Sequence, residues 1–137
     1  MELLNSPRNF EKVRAAIKAA GYNNEKTVLL APTDPHYRKA MADVAGETLK
    51  KCGFNLEIQS MDWGTAIVRR ENKQPMDKGG WSALCSTANG LDMQTPLLHF
   101  LRTTGANAWF GWSNSPKIEE LRSAWVDAPR QIGRSHV

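Results

Sequence analysis

Cys85, Ser86 and Thr87 stand in a row, with Asn89 and Asp92 just beyond. These side chains could serve nucleophilic chemistry or hydrogen-bonding recognition. A cysteine nucleophile needs a base or a helix N-terminus that depresses its pKa. His36 falls in the first turn of a predicted helix and reads as exposed. His99 sits in Leu97-Leu98-His99-Phe100-Leu101 and reads as packed. No spacing sets either beside Cys85. Three histidines and two cysteines occur, none in ligand pairs at i,i+3 or i,i+4, so there is no zinc signature. Neither a Gly-x-Gly-x-x-Gly turn nor a Walker loop is present to cradle phosphate. Recognition is therefore the better reading of this cluster. Five tryptophans support it, because Trp81, Trp109 and Trp112 flank the polar stretches 87–94 and 103–108. An indole offers a large rigid face and one N–H donor, which suits a cleft wall. Core filling is equally compatible with those three, and is the better reading of Trp63 and Trp125.

The elements that must position these residues follow from pattern. Asn9 caps a predicted helix through Ala20, with Phe10, Val13, Ile17 and Ala20 along one stripe. Val28 onward is an apolar run, predicted as a strand. Asp34 is the expected N-cap of the next helix, with Pro35 at its first position and Gly53 as its left-handed C-terminal cap. Tyr37, Met41, Val44, Ala45 and Thr48 fall on one face at helical spacing, the apolar stripe of an amphipathic helix. Leu56 and Ile58 alternate with Asn55, Glu57 and Gln59, as on a half-buried strand. Together these make a βαβ unit. Asp62 is expected to cap a helix over about Trp63–Asn72, Pro75 excludes its continuation, and Trp81–Ser86 is a predicted strand. A short helix is predicted over Leu97–Arg102. The last begins at Ser115-Pro116 and turns Ile118, Leu121 and Trp125 inward.

Composition narrows the class. The 137 residues suffice for one domain with a real core, and 41% hydrophobic and 23% charged residues are ordinary for a globular protein. No apolar run has the length of a membrane span, and no N-terminal stretch reads as a signal peptide. The net charge of +4 is spread among interleaved acids, unlike the clustered stripe of a nucleic-acid protein. Cys52 and Cys85 match no zinc or redox spacing.

Several motifs occur in a telling order: Ala20-Gly21-Tyr22, Leu49-Lys50-Lys51-Cys52-Gly53-Phe54, Asp62-Trp63, Gly80-Trp81, and Gly111-Trp112-Ser113-Asn114 with Glu119 and Leu121. In order and spacing the chain resembles the C-terminal lobe of the family 5 extracellular solute-binding proteins of peptide and nickel ABC importers, over roughly Asn9 to Asp127. The resemblance implies an α/β fold, one lobe of a periplasmic-binding-protein-like type II fold with a small, mainly parallel sheet flanked by helices. It implies a lead-in over 1–8, a partial lobe over 9–128 and a disordered tail over 129–137. The chain is then expected to be a fragment of a longer parent, periplasmic or a cell-surface lipoprotein. That parent would capture a peptide or similar small solute and deliver it to an ABC permease, with no cofactor, no metal and no catalysis. A homodimer through exposed lobe surface is a further expectation.

The ligand-binding residues expected on this reading are Trp81, Cys85, Ser86, Thr87, Asn89, Asp92, Trp109 and Trp112. The ends of strands, near Ala31 to Thr33 and Cys85 to Asn89, should face the ligand. One departure stands out. Peptide-binding members of the family carry, three residues after the Gly-Trp tryptophan, an aspartate that pairs with the ligand's α-amino group. Here that position is Leu84, and the first acid downstream is Asp92. The alternative architecture is a small flavodoxin-like regulatory or enzymatic domain. Its acidic cluster would have to come from Asp34 and Asp62.

Overall fold

The computed structural model describes residues 7–97, 99–105 and 108–128, with the side chains of Asp92 and His99 also outside the description. Most of the expected lead-in and the expected tail over 129–137 therefore lie outside the described residues. The chain divides into two compact units, Met1–Thr87 and Ala88–Val137.

The first unit is α/β. Its elements are α1 (Phe10–Ala19), β1 (Lys26–Pro32), α2 (His36–Cys52), β2 (Asn55–Met61), α3 (Trp63–Arg69) and β3 (Ala83–Leu84). The sheet order is β2-β1-β3, with both pairings parallel. β1 is central, and its unbroken apolar run is buried from Val28 to Pro32, as expected for a parallel strand covered on both faces. Helices supply that cover. On one face Gly46 of α2 lies so close to Ile58 that an added Cβ would sit 2.8 Å from Ile58 Cδ1. Gln59 is the next residue along β2 and so points to the opposite face, where its side-chain oxygen accepts a 2.8 Å bond from Arg69 of α3. Of the predicted polar residues of β2 only Gln59 is part-covered in this way, while Asn55 and Glu57 stay exposed, as on the half-buried strand expected.

Caps set the helix ends. Asn9 accepts from Lys12 N–H at 2.9 Å, and Asp62 accepts from Thr65 N–H at 2.9 Å. Gly53 ends α2 at φ 95°, with its N–H on the Lys50 carbonyl and the Phe54 N–H on the Leu49 carbonyl, the paired closure that a left-handed residue permits.

Three expectations fail here, each for a local reason. Asp34 does not cap α2: Pro35 is the N-cap, without a side-chain bond, and the Asp34 carboxylate instead accepts from Trp63 N–H at 2.7 Å. Only part of the apolar stripe of α2 turns inward, Ala45 and Thr48 being half-buried. Ala42 and Gly46 are buried there, while Tyr37, Met41 and Val44 are 51%, 40% and 66% exposed. Small side chains let the helix approach the sheet closely, and that contact outweighs the larger apolar stripe. The predicted strand Trp81–Ser86 shrinks to Ala83–Leu84, because Ser82 already spends its hydroxyl on Val28 N–H as an acceptor at 3.1 Å. Likewise α3 stops at Arg69.

The second unit is loop-rich. Among its described residues are two short 3-10 turns, Leu91–Met93 and His99–Leu101, and one helix, α4 (Pro116–Asp127). The predicted helix over Leu97–Arg102 is thus a single turn, with Leu98 outside the described residues. Ser115 caps α4 through Ile118 N–H, and Pro116 opens it. Leu121 and Trp125, predicted to point inward, are 56% and 51% exposed, so Trp125 fills no core.

Candidate ligand edge and its polar supports

Parallel pairing fixes which residues share an edge. Pro32 pairs with Met61 and Leu30 with Leu84, so the carboxyl ends of all three strands open together. Thr33, Asp34, Asp62, Trp63 and Cys85 follow those ends in sequence. In open α/β sheets this edge is where ligands bind. Of the predicted Ala31–Thr33 segment only Thr33 is exposed, since Ala31 and Pro32 are packed. Thr33 is itself tethered to Met61: its N–H donates to the Met61 carbonyl at 2.8 Å and its hydroxyl to the same oxygen at 3.2 Å.

Asp62 and Asp34 organise the first turn of α3 from opposite sides. Asp62 accepts from the backbone and the hydroxyl of Thr65, and these bonds hold its carboxyl below the usual carboxylate range. Asp34 takes the Trp63 N–H. Trp63 is then clamped at the ring as well, because the Arg38 guanidinium lies 3.8 Å from its centroid. Pattern reading assigned Trp63 to core filling and did not single out Arg38. An arginine one turn into a helix and an aspartate-tryptophan pair after the next strand are the signal that could have found the stack.

The other predicted residues fall in both units. Trp81 is half-buried, and its indole N–H donates to the Arg70 carbonyl at 3.0 Å, which fastens the approach to β3 onto the end of α3. Cys85 is half-buried, and burial pushes its thiol pKa up. That is the wrong direction for a nucleophile. Cys52 is also a free, half-buried thiol. Ser86 and Thr87 are exposed just after β3.

In the second unit Asn89 is exposed, and Asp92 lies in the turn Leu91–Met93 with its side chain outside the description. Trp109 meets Phe100 and Phe110 edge-on at 4.6 and 4.7 Å between centroids, and Trp112 holds a left-handed φ of 47°. Among the described residues, no cluster of three or more metal-ligating side chains occurs.

A polar hub missed by pattern reading holds the second unit together. Thr103 is buried, and its N–H donates to Glu119 Oε1 at 2.6 Å. Its hydroxyl lies 3.0 Å from the Ser115 carbonyl and 3.2 Å from the same carboxylate. Arg122 closes the hub by pairing with Glu119 and donating its Nε–H to the Pro96 carbonyl at 2.8 Å. The Thr103 amide bond, with Arg122 beside it, holds the Glu119 carboxyl below its ordinary range.

The comparisons join this geometry. Over 119 residues, 85% of its length, the chain is 34% identical to a probable peptide ABC transporter periplasmic-binding protein of Sinorhizobium fredii (strain NBRC 101917 / NGR234). The chain is similar to part of a solute-binding protein of the peptide-importer type. The resemblance read from the ordered motifs is thereby borne out, and so is the α/β fold with a parallel sheet between helices. The match spans 22% of that relative's length. No family model matches the chain. Among the described residues, no helix is long and apolar enough to cross a membrane.

Proposed function

We propose that this chain forms part of the substrate-binding component of an ABC importer, supplying one wall of a site for a peptide or similar small solute. The similarity to a peptide-transporter binding protein carries this reading. The parent protein would act outside the cytoplasm, close over its solute by hinge motion and hand it to a membrane permease. The work is binding, not bond-making. The raised thiol of Cys85 fits that assignment. On this reading Cys85, Ser86 and Thr87 of the first unit contact the ligand, with Trp81 fixing the segment that carries them. Asn89, Asp92, Trp109 and Trp112 lie in the second unit and are proposed as ligand contacts on the sequence pattern alone. Leu84 cannot ionise, so the ligand's amino end is recognised by hydroxyls and amides or by Asp92.

One wall leaves most of a ligand in water, whereas tight pockets bury roughly 70–90% of it. Calorimetry with short-peptide mixtures should therefore show saturable binding near millimolar, about −4 kcal/mol. Mass spectrometry should recover the peptides intact. Turnover of the peptides, or no heat at tens of millimolar, would contradict the reading.

A further inference from the structure

Asn89-Gly90 is the single asparagine-glycine step in the sequence, and the fold leaves it open. Both residues are exposed, in the stretch between the end of β3 and the turn Leu91–Met93, outside any helix or strand. A Cβ placed on Gly90 would meet nothing within 4 Å. Among the described residues no acceptor takes the Gly90 N–H, although its carbonyl accepts from the Met93 N–H at 3.1 Å. Asn114-Ser115 is the contrast. There the following residue caps α4, and its N–H donates to the Thr103 carbonyl at 3.2 Å. Thr103 is itself buried and bonded to Glu119. The Ser115 amide is held, and the Gly90 amide is not.

We propose that Asn89 is a site of spontaneous deamidation, where the native protein converts a carboxamide of the loop after β3 into a carboxylate. The Gly90 nitrogen gives up its proton to base and attacks the Asn89 side-chain carbonyl carbon. An N–Cγ bond forms, the Cγ–Nδ2 bond breaks, and the departing nitrogen takes a proton from water to leave as ammonia. Water then opens the five-membered imide. Cleavage at the side-chain carbonyl gives an aspartate. Cleavage at the main-chain carbonyl gives an isoaspartate, whose chain runs on through Cβ. Solvent is the only co-reactant, and nothing is oxidised or reduced. Ring closure needs the backbone to swing the Gly90 nitrogen onto Cγ, and a residue without Cβ opposes that rotation least. An amide already held by a carbonyl must first give up that bond, as at Ser115. The product lowers the formal net charge of +4 by one and adds an acid to a loop in which Asp92 is the first one after Leu84. This chemistry lies beyond the solute-binding role and holds whether or not Asn89 contacts the solute.

The test is incubation of the folded chain at mildly alkaline pH, followed by proteolytic mapping and mass spectrometry. The peptide spanning Asn89-Gly90 should gain one mass unit before any other asparagine peptide does, and should accept a methyl group from an isoaspartyl methyltransferase. The rate should rise with hydroxide concentration. Gly90→Ala should remove most of the gain, because its Cβ hinders ring closure. Asn89→Gln should abolish it, because the ring would need one more member. Denaturant separates the fold's part from the sequence's. Unfolding should leave the rate at Asn89 unchanged and raise that at Asn114 about fivefold, as Ser115 loses its bond to Thr103. Three results would overturn the proposal. One is a gain at Asn114 that outruns Asn89 in the folded chain. Another is a rate at Asn89 that climbs on unfolding as Asn114's does. The third is no gain over a period in which the free peptide of residues 86–91 converts.

Discussion

Gly80 is the position where one added carbon should do most damage. It is buried at the end of the 74–80 turn, one residue before Trp81. A Cβ there would lie 2.0 Å from the Gln74 carbonyl oxygen and 2.9 Å from the Pro75 carbonyl, all backbone atoms that no rotamer change can remove. Reaching an ordinary contact means moving backbone by more than about 1 Å. The turn must open, which breaks the bonds that Gly80 N–H and Lys78 N–H make to the Pro75 carbonyl, both 2.9 Å. Two such bonds at about 1 kcal/mol each, with an overpacking cost of about 1–2 kcal/mol, give about 3 kcal/mol for Gly80→Ala. At a urea slope of about 1.5 kcal/mol/M this lowers the unfolding midpoint by about 2 M, followed by tryptophan fluorescence. The change also loosens the Ser82–Val28 bonds that hold β3, so the Cys85–Thr87 segment should move. Gly90→Ala is the control: with φ −56° and nothing within 4 Å, it should be neutral or up to about 1 kcal/mol more stable. A Gly80→Ala midpoint within about 0.3 M of the parent would refute the steric argument.

Other consequences can be read in the same way. Asp34→Ala strips the acceptor from the Trp63 amide and should cost about 1 kcal/mol, seen as a lower urea midpoint, with Asp34→Asn recovering part of it. The lowered carboxyls of Glu119 and Asp62 make stability acid-sensitive. Their contribution is complete above the unfolded carboxylate values and is lost as pH falls through the folded ones, so Glu119→Gln should flatten the acid limb of a midpoint-against-pH curve. Cys85, with its raised pKa, should react with iodoacetamide at neutral pH several-fold more slowly than a free thiol. Rapid alkylation would reopen a nucleophilic role.

Local chemistry was legible where one residue decides the outcome. Asn9, Asp62, Ser115 and Gly53 set helix ends as their types dictate, and the apolar run from Val28 announced a strand. Pattern failed where tertiary contact chose between two faces. In α2 the larger apolar residues marked the wrong stripe, because Ala42 and Gly46 allow the closer approach. Asp34 had the right type for a cap but a better donor was available across the edge, at Trp63. The candidate site was legible as a loop after β3. The Arg38–Trp63 stack was not, since the two residues are joined only by the fold. Glu119 appeared as one acid in a motif, and its role as the acceptor for buried Thr103 needed coordinates.

The central claim is that this chain binds a solute at the carboxyl edge of its parallel sheet, and resonance-resolved titration tests it most directly. With the labelled chain and mixed di- to tetrapeptides up to about 10 mM, the account predicts shifts clustered at Thr33, Trp63, Cys85, Ser86 and Thr87. Shifts confined to the opposite edge, at Tyr22, Lys26 and Asn55, or no saturable shift at all, would contradict it.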